Sequence, residues 1–266
     1  MIFESDILIV TLGGGYLLTP ERQQYIIEKI KQDGFVKIQE LVKDLNTSES
    51  TIRRDLSQLE DMHLLKRVHG GAEVVRKRGR ELTISEKSTS HQLEKKAIAK
   101  FAASLIEDGD CIYLDAGTTT LEMISYIKEK AITVVTNGIQ QAEALKDSDI
   151  ITYLIGGRIK KSTNALIGSQ AIQNLANYRF DKCFLGMNGI HPEWGYSTPD
   201  PEEAILKRSA IDLGKESYVL ADISKFGETS FSKVAELYQA TIITAGIDSD
   251  KEAKYKMKTT IKVVKP

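Results

Sequence analysis

Apolar residues recur at helical spacing in three successive segments between residues 19 and 62. The first opens with Thr19-Pro20-Glu21, a favourable helix start, and ends near Gly34. The second spans residues 38–45, where apolar positions at i, i+3, i+4 and i+7 form one face. In the third, Ser48 can cap a helix. Its inward positions are Ile52, Leu56, Leu59 and Met62. The pattern predicts three short helices.

A different pattern follows the third helix. Residues 64–75 alternate between apolar and polar side chains on both sides of Gly70-Gly71. Alternation about a paired glycine turn is typical of a β-hairpin. Residues 19–75 therefore predict a winged helix-turn-helix.

The polar face of the third helix has the chemistry of a DNA-reading surface. Short hydroxyls can bind phosphates or base edges, and arginine can bind guanine through two hydrogen bonds. The predicted DNA-binding residues on the helix and the wing are Ser48, Ser50, Thr51, Arg53, Arg54, Ser57, Arg67 and His69. Helices with a basic face also occur in protein-interaction bundles, so this pattern leaves that alternative open.

From residue 97 the chain alternates apolar runs with amphipathic segments. The predicted strands are 111–114, 132–135, 150–155, 183–185, 218–220 and 241–244, and the predicted helices are 97–107, 119–129, 139–146, 168–178 and 201–214. Such alternation indicates an α/β domain with a mostly parallel sheet covered on both faces. We place this domain at residues 97–260, after a charged, hydroxyl-rich linker over 76–96.

Four of the predicted strands end in residues suited to an anionic ligand. Ligands of parallel α/β sheets bind beyond the carboxyl ends of the strands, where glycine permits close approach and lysine or arginine neutralises phosphate. The predicted effector-binding residues are Asp115, Gly117, Thr118, Thr119, Thr120, Thr136, Asn137, Gly157, Arg158, Lys207 and Lys225. Their chemistry favours a phosphorylated polyol or a nucleotide.

Composition narrows the class of protein. The 266 residues carry 36 basic and 37 acidic side chains, a formal charge of −1. Residues 50–80 nevertheless hold eight basic and four acidic residues, and this local excess suits a small nucleic-acid-binding domain. Two cysteines exclude a disulfide scaffold and favour a reducing compartment. No apolar run spans a bilayer, so we expect a cytoplasmic protein. Four scattered histidines predict no metal site.

Residues 1–18 do not fit either domain. They contain Gly13-Gly14-Gly15 without the spacing of a phosphate-binding loop, and Glu4 and Asp6 interrupt their apolar stretch. One hypothesis is a translated leader with the functional start at Leu17 or Leu18. An extra strand or a disordered tail is the alternative.

Several of these motifs together resemble a known family. Arg22-x3-Ile26-x3-Ile30, Ser48-x2-Thr51-Ile52-Arg53-Arg54-Asp55-Leu56 and Arg67-Val68-His69-Gly70-Gly71-Ala72 resemble the winged helix-turn-helix of DeoR-family bacterial transcriptional regulators. The resemblance continues through residues 115–120, 136–137, 156–157, 165–168, 180–182, 199–207 and 222–227. It implies that the third helix reads DNA and that the second domain has the fold of phosphosugar isomerases.

The resemblance also implies a function. A DeoR-type regulator is expected to act as an oligomeric transcriptional repressor on double-stranded operator DNA, with a sugar phosphate as inducer and no cofactor. Residues 37–42, 48–59, 113–120 and 180–186 look closest to the fructose-operon repressors of Gram-positive bacteria. This similarity implies fructose 1-phosphate as the inducer, and dimers or tetramers are both compatible with the sequence.

An enzyme is the alternative function. Glu202 and Glu203 precede Lys207 by about one helical turn, and a carboxylate with a lysine beside a sugar phosphate could catalyse isomerisation. Ordinary pairing of charges along a helix explains the same residues. The sequence favours a regulator over a sugar-phosphate isomerase that carries a DNA-binding domain.

Overall fold

A computed structural model describes residues 19–62, 64–68, 70–74, 87–88 and 90–265. The chain divides into two compact units, residues 1–77 and 78–266. Residues 1–18, His69 and most of the predicted linker lie outside the described residues. The interpretations given to residues 1–18 therefore stay predictions.

The first unit contains three helices and a small sheet. Its elements are α1 (Thr19–Asp33), β1 (Phe35–Lys37), α2 (Ile38–Asp44), α3 (Glu49–Asp61), β2 (Leu65–Val68) and β3 (Gly71–Val74). The strands are antiparallel in the order β1-β3-β2. The predicted winged helix-turn-helix is confirmed, whereas β1 was not foreseen because three residues are too few to establish an alternating pattern.

The predicted apolar faces of the helices form the core of this unit. The buried residues include Ile26, Ile30, Leu41, Ile52, Leu56 and Leu59. Met62 is 61% exposed, so its predicted inward position is wrong. The reason is that α3 ends at Asp61 and Met62 is only its C-terminal cap.

The second unit alternates strands with helices. Its elements are α4 (Gln92–Ser104), β4 (Cys111–Leu114), α5 (Thr118–Met123), β5 (Thr133–Thr136), α6 (Ile139–Leu145), β6 (Ile151–Leu154), β7 (Arg158–Lys160), β8 (Ala165–Ile167), α7 (Ser169–Leu175), β9 (Phe180–Gly186), β10 (Gly189–His191), β11 (Gly195–Thr198), α8 (Pro201–Leu213), β12 (Gly214–Leu220), β13 (Ser232–Ala235), β14 (Thr241–Ala245), α9 (Ser249–Lys256) and β15 (Ile261–Val264). All six predicted strands are present.

A seven-stranded parallel sheet in the order β15-β14-β12-β9-β4-β5-β6 organises this unit. Alternate residues of one strand face opposite sides: Tyr113 joins the core with α7 and α8, whereas Ile112 and Leu114 join the core with α4. Both faces are therefore buried, which explains the nearly continuous apolar runs. The predicted fold class is confirmed.

The structure corrects two limits of the predicted second domain. Helix α4 begins at Gln92, so residues 92–96 of the predicted linker are helical. The buried position of this stretch is taken by a charged side chain, Lys95, which hides the helical pattern in the sequence. At the other end, β15 extends the sheet beyond residue 260 and pairs with β14. The other domain limits stay predictions.

None of the helices among the described residues is long and apolar enough to cross a bilayer.

Candidate functional site

The amino end of α3 is held by a cluster of hydroxyl groups. Ser48 caps the helix, and its Oγ accepts a hydrogen bond from the Thr51 backbone N–H at 3.2 Å. The same oxygen lies 2.9 Å from Ser50 Oγ and 2.8 Å from Thr51 Oγ1. These three residues, predicted to contact DNA, therefore also fix the start of the helix on which they lie.

The outer face of α3 and the wing form one polar surface. Arg67 on β2 donates a hydrogen bond from Nη1 to Ser57 Oγ at 2.6 Å, which joins the two elements. Arg53 pairs with Glu49 one helical turn earlier, at 2.6 Å. Arg54 is exposed and makes no side-chain hydrogen bond or ion pair to another described residue. The seven predicted DNA-binding residues within the described part of the chain thus lie on one surface. On it, the guanidinium of Arg54 is available to bind DNA.

A buried ion pair on the inward side of α3 stabilises the helix that carries this surface. Asp55 on α3 is 1% exposed and accepts hydrogen bonds from Arg22 on α1, Nε to Oδ2 at 2.5 Å and Nη2 to Oδ1 at 3.0 Å. The two-pronged contact holds α1 against the inward side of α3. Both residues belong to the quoted family motif, but sequence spacing alone did not predict their contact.

A cleft lies at the carboxyl ends of β4, β9 and β12 in the second unit, and several of the predicted strand-end residues line it. Asp115 follows β4, Gly186 ends β9, and Asp222 follows β12, with Lys225 close behind in the chain. These strands are neighbours in the sheet. The cleft is lined by six of the predicted effector-binding residues: Asp115, Gly117, Thr118, Thr119, Lys207 and Lys225.

A buried charge network forms the floor of the cleft. Lys207 Nζ donates hydrogen bonds to Asp115 Oδ2 and, at 2.9 Å, to Gly186 O. Glu203 Oε1 lies 3.7 Å from Lys207 Nζ, and Glu203 Oε2 accepts a hydrogen bond from Lys160 at 2.7 Å. Each buried charge thus faces an opposite charge, which offsets the cost of removing it from water.

This network shifts the pKa values of its members. Burial alone would raise the pKa of Glu203, but Lys207 and Lys160 outweigh it and lower the pKa to about 2. Burial would lower the pKa of Lys207, and Asp115 and Glu203 raise it instead. Asp222 likewise has its pKa lowered to about 2, against its burial, by Lys225 and His91. All three groups are therefore charged at neutral pH.

We expect the network to make the free energy of unfolding fall as the pH becomes acidic. A carboxylate whose pKa is depressed in the folded state stabilises the fold above its unfolded pKa and loses that contribution as pH falls through its folded pKa. For Glu203 this window runs from 4.5 down to about 2, which corresponds to about 3 kcal/mol. Urea unfolding at pH 7, 4.5 and 3 should show a shallower loss of stability for Glu203→Gln than for the original chain. Equal pH dependence would refute this role.

Two buried oxygen atoms at the cleft have no hydrogen-bond partner within the described residues. They are Asp115 Oδ1 and Thr163 Oγ1. Asp115 Oδ2 is committed to Lys207 and to the Gly186 N–H at 3.0 Å, so only Oδ1 remains available. A buried acceptor without a partner is costly. A ligand hydroxyl would satisfy it.

Five predicted effector-binding residues do not line the cleft. Thr120, Thr136 and Asn137 are fully buried, and their side chains bond to nearby backbone: Thr120 to Asp115 O, Thr136 to Leu114 O, and Asn137 to the Ala116 N–H. They position the loop that carries Asp115. Gly157 and Arg158 follow β6, two strands away from β4, and Arg158 pairs with Glu202. The prediction that four strand ends converge is thus wrong: the cleft forms where the ends of three strands, β4, β9 and β12, meet.

Several cleft residues were not predicted from the sequence. Lys87, Ser90 and Lys95 line the cleft from the segment predicted to be linker, and Thr163 and Asn188 line it from the second unit. Glu203, named above only for the alternative enzyme, also lines it. Lys95 donates a hydrogen bond to Lys87 O, and burial lowers its pKa. A lysine in an otherwise polar stretch gives no signal of burial, so only the fold reveals these contacts.

A second depression is larger and lies at the amino ends of β12, β14 and β15, whereas the cleft lies at the carboxyl ends of its strands. It has a volume of about 710 Å³, against about 60 Å³ for the cleft at Asp115. Its lining includes Lys215, Tyr238 and Lys256, but no described buried polar atom without a partner. The smaller cleft is the better candidate because its unpaired oxygens and buried charges mark a ligand site.

The residues of the alternative catalytic arrangement separate into two places, because Glu203 and Lys207 line the cleft 3.7 Å apart whereas Glu202 does not line it. Glu202 lies on the surface and pairs with Arg158, whereas Glu203 and Lys207 are held by internal ion pairs. Among the described residues, no group of histidine, cysteine, aspartate and glutamate has the geometry to hold a metal ion.

Comparison with known proteins gives the same two units. Residues 22–78 match the DeoR-like helix-turn-helix domain, and residues 90–246 match the DeoR C-terminal sensor domain. The chain is 53% identical to the protein named uncharacterized HTH-type transcriptional regulator FruR of Bacillus subtilis (strain 168), over 94% of this chain and all of that one. It is 34% identical to the lactose phosphotransferase system repressor of Staphylococcus epidermidis (strain RP62A), over 92% of this chain and 98% of that one.

Similarity to solved structures is weaker. Ribose 5-phosphate isomerase A from Neisseria gonorrhoeae is 15% identical with a TM-score of 0.38, and the match covers 50% of this chain and 52% of that one.

Proposed function

Since the chain belongs to the DeoR family of transcriptional regulators, we propose that it represses a sugar-utilisation operon and is released from operator DNA by a sugar phosphate. The relatives are named as regulators and repressors, which favours this function over isomerase activity. One relative is named for a lactose phosphotransferase system. The resemblance of residues 37–42, 48–59, 113–120 and 180–186 to fructose-operon repressors makes a fructose operon, with fructose 1-phosphate as inducer, the specific proposal.

Two unpaired oxygen atoms in the cleft support the proposal that the ligand is a sugar phosphate. Asp115 Oδ1 and Thr163 Oγ1 are buried hydrogen-bonding groups suited to sugar hydroxyls. Lys87, Lys95 and Lys225 line the same cleft and supply positive charge for a phosphate. Hydroxyl-binding and phosphate-binding groups in one cleft describe a phosphorylated sugar better than either a free sugar or an inorganic ion.

The position of the lysines also suggests how ligand binding in the cleft could change the operator affinity of the DNA-binding unit. The cleft volume of about 60 Å³ holds about four water molecules and is too small for a hexose phosphate. Ligand entry therefore requires some lining residues to move. Lys87 and Ser90 belong to the chain segment that directly follows the DNA-binding unit in sequence. Their displacement by the ligand would act on that unit through the connecting chain.

Operator release then depends on a difference in ligand affinity between two forms. A sugar phosphate that binds better when Lys87, Ser90 and Lys95 have moved shifts the protein toward that form. Coupling of this kind is worth about 1–3 kcal/mol, or about 5- to 150-fold in operator affinity. This range is sufficient for induction.

Lys225→Ala is expected to raise the inducer concentration for half-release about tenfold, because one charge-assisted hydrogen bond to the phosphate is lost. Operator affinity without inducer should not change. Lys215→Ala is the matched control, since Lys215 is an exposed lysine paired with Asp181 and lies outside the cleft. Fluorescence anisotropy with labelled operator measures both quantities. An unaltered inducer response in Lys225→Ala would remove Lys225 from the site.

A further inference from the structure

The two edges of the seven-stranded sheet differ in charge. At one edge, β15 contains Lys262 and is followed by Lys265. At the other edge lies β6, and residues 150–157 around it contain no charged side chain. Sheet edges of monomeric proteins are commonly protected from strand pairing by charged residues, especially lysine. The β6 edge lacks this protection.

The exposed surface of β6 is apolar. Ile151, Tyr153 and Leu154 are 59%, 47% and 44% exposed, respectively. Tyr153 also packs against Tyr178, with ring centroids 5.8 Å apart, which widens the apolar surface. Within the described residues β6 pairs only with β5.

The backbone of β6 offers hydrogen-bonding groups to a further strand. The Ile155 N–H donates to Thr136 O on the β5 side at 3.0 Å. Because successive residues of a paired strand direct their N–H and C=O groups to alternate sides, those of Thr152 and Leu154 point toward the open edge. An antiparallel partner that places Thr152 opposite Leu154 would satisfy all four groups, with Tyr153 at the centre.

The charges that flank β6 favour a second copy of this chain in that position. Asp147 and Asp149 are exposed before the strand, where the exposed Lys146 is paired with Glu143. Arg158 and Lys161 are exposed after the strand, and Arg158 also contacts Glu202. Antiparallel pairing of two copies brings the acidic flank of each beside the basic flank of the other. Parallel pairing would place like charges together, so the charge pattern selects the antiparallel arrangement.

We propose that two copies of the chain pair antiparallel through β6, across a twofold axis at Tyr153, and so join their sheets into one. The contact is self-complementary, as a twofold interface requires. A dimer also supplies the two reading helices needed for paired operator half-sites.

Cysteine cross-linking tests the predicted register. Directly opposed residues of a non-hydrogen-bonded antiparallel pair have Cα atoms about 4.5 Å apart, within the range that a disulfide can bridge. Under mild oxidation the full-length Tyr153→Cys variant should form a dimer linked at position 153, identified by peptide mapping. Lys262→Cys, on the other sheet edge, is the matched control, and the original chain with Cys111 and Cys183 gives the background. Dimer formation no greater than in these controls would overturn the proposal.

The molar mass in solution tests the interface without cross-linking. Tyr153→Lys places two like charges at the twofold axis and should halve the mass measured by light scattering, whereas Lys262→Glu should leave it unchanged. Tyr153 is half-exposed, so the circular dichroism spectrum of the folded variant should match that of the original chain. A monomeric original chain, as expected if another segment of the same chain covers β6, would overturn the proposal. An unchanged mass in Tyr153→Lys would do the same. Inducer-dependent operator release is measured separately by fluorescence anisotropy, so failure of this interface and failure of the proposed function are distinguishable.

Discussion

Arg54→Ala is expected to remove most of the preference of this regulator for its operator over random DNA while both domains remain folded. Arg54 is exposed on α3 and makes no side-chain hydrogen bond or ion pair to a described residue. A guanidinium that binds guanine through two hydrogen bonds contributes about 1–3 kcal/mol of discrimination. For the proposed dimer on two half-sites, the loss doubles to about 2–6 kcal/mol, or roughly 30-fold to 10⁴-fold in specificity.

Arg53→Ala is the matched control on the same helix. Arg53 pairs with Glu49 and lies on the flank of the reading face, where phosphate contact is expected. Its loss should weaken binding to operator and random DNA by similar factors and reduce the salt dependence of binding. Competition titrations at fixed salt separate the two effects. If Arg54→Ala retained the original operator preference, Arg54 would not be the base-reading residue.

Asp55→Ala is expected to remove a large part of the folding free energy of the DNA-binding unit. Removing one partner of a buried ion pair leaves the other charge buried without compensation, which costs about 3–5 kcal/mol, and a domain of this size has only about 5–15 kcal/mol of stability. Arg22 would be the uncompensated charge, with a side chain that is only 12% exposed. Operator binding should weaken because the contact between α1 and α3 is lost, even though Asp55 faces away from the reading surface.

Two further variants distinguish this cause from a general weakening of α3. Glu49→Ala breaks an ion pair on the same helix whose two side chains are each 53% exposed. It should cost less than about 1 kcal/mol. The double replacement Arg22→Met with Asp55→Leu removes both buried charges and should recover much of the stability. Urea unfolding followed by circular dichroism measures each case. Equal costs for Asp55→Ala and Glu49→Ala would contradict the assigned role of the buried pair.

The fold was largely predictable because its determinants are periodic. The faces containing Leu41 in α2 and Leu56 in α3 repeat at helical spacing, and strands such as β4 are short apolar runs buried on both sides. Elements without such a pattern were missed. Strand β1 is too short to show alternation, and the start of α4 is hidden because a lysine, Lys95, takes a buried position.

The candidate cleft was predictable only in part. Asp115 and Lys225 follow strands, and the rule that ligands bind beyond the strand ends locates them. Which strand ends meet depends on strand order, and chain order does not give it. The order places β9 between β4 and β12, so Gly186 and Asn188 enter the cleft while Arg158 is left at a distance. The lysines at 87 and 95 come from a segment whose composition is that of a linker.

The most direct test of a sugar-phosphate-controlled repressor is an anisotropy titration on DNA from upstream of its own gene, with random DNA as competitor and fixed salt. Fructose 1-phosphate, fructose 1,6-bisphosphate and tagatose phosphates would then be added in turn to the complex. We expect specific binding and release by fructose 1-phosphate. Release by another of these phosphates would keep the repressor and change its inducer. Binding without preference for that DNA, or specific binding that no sugar phosphate alters, would contradict the account.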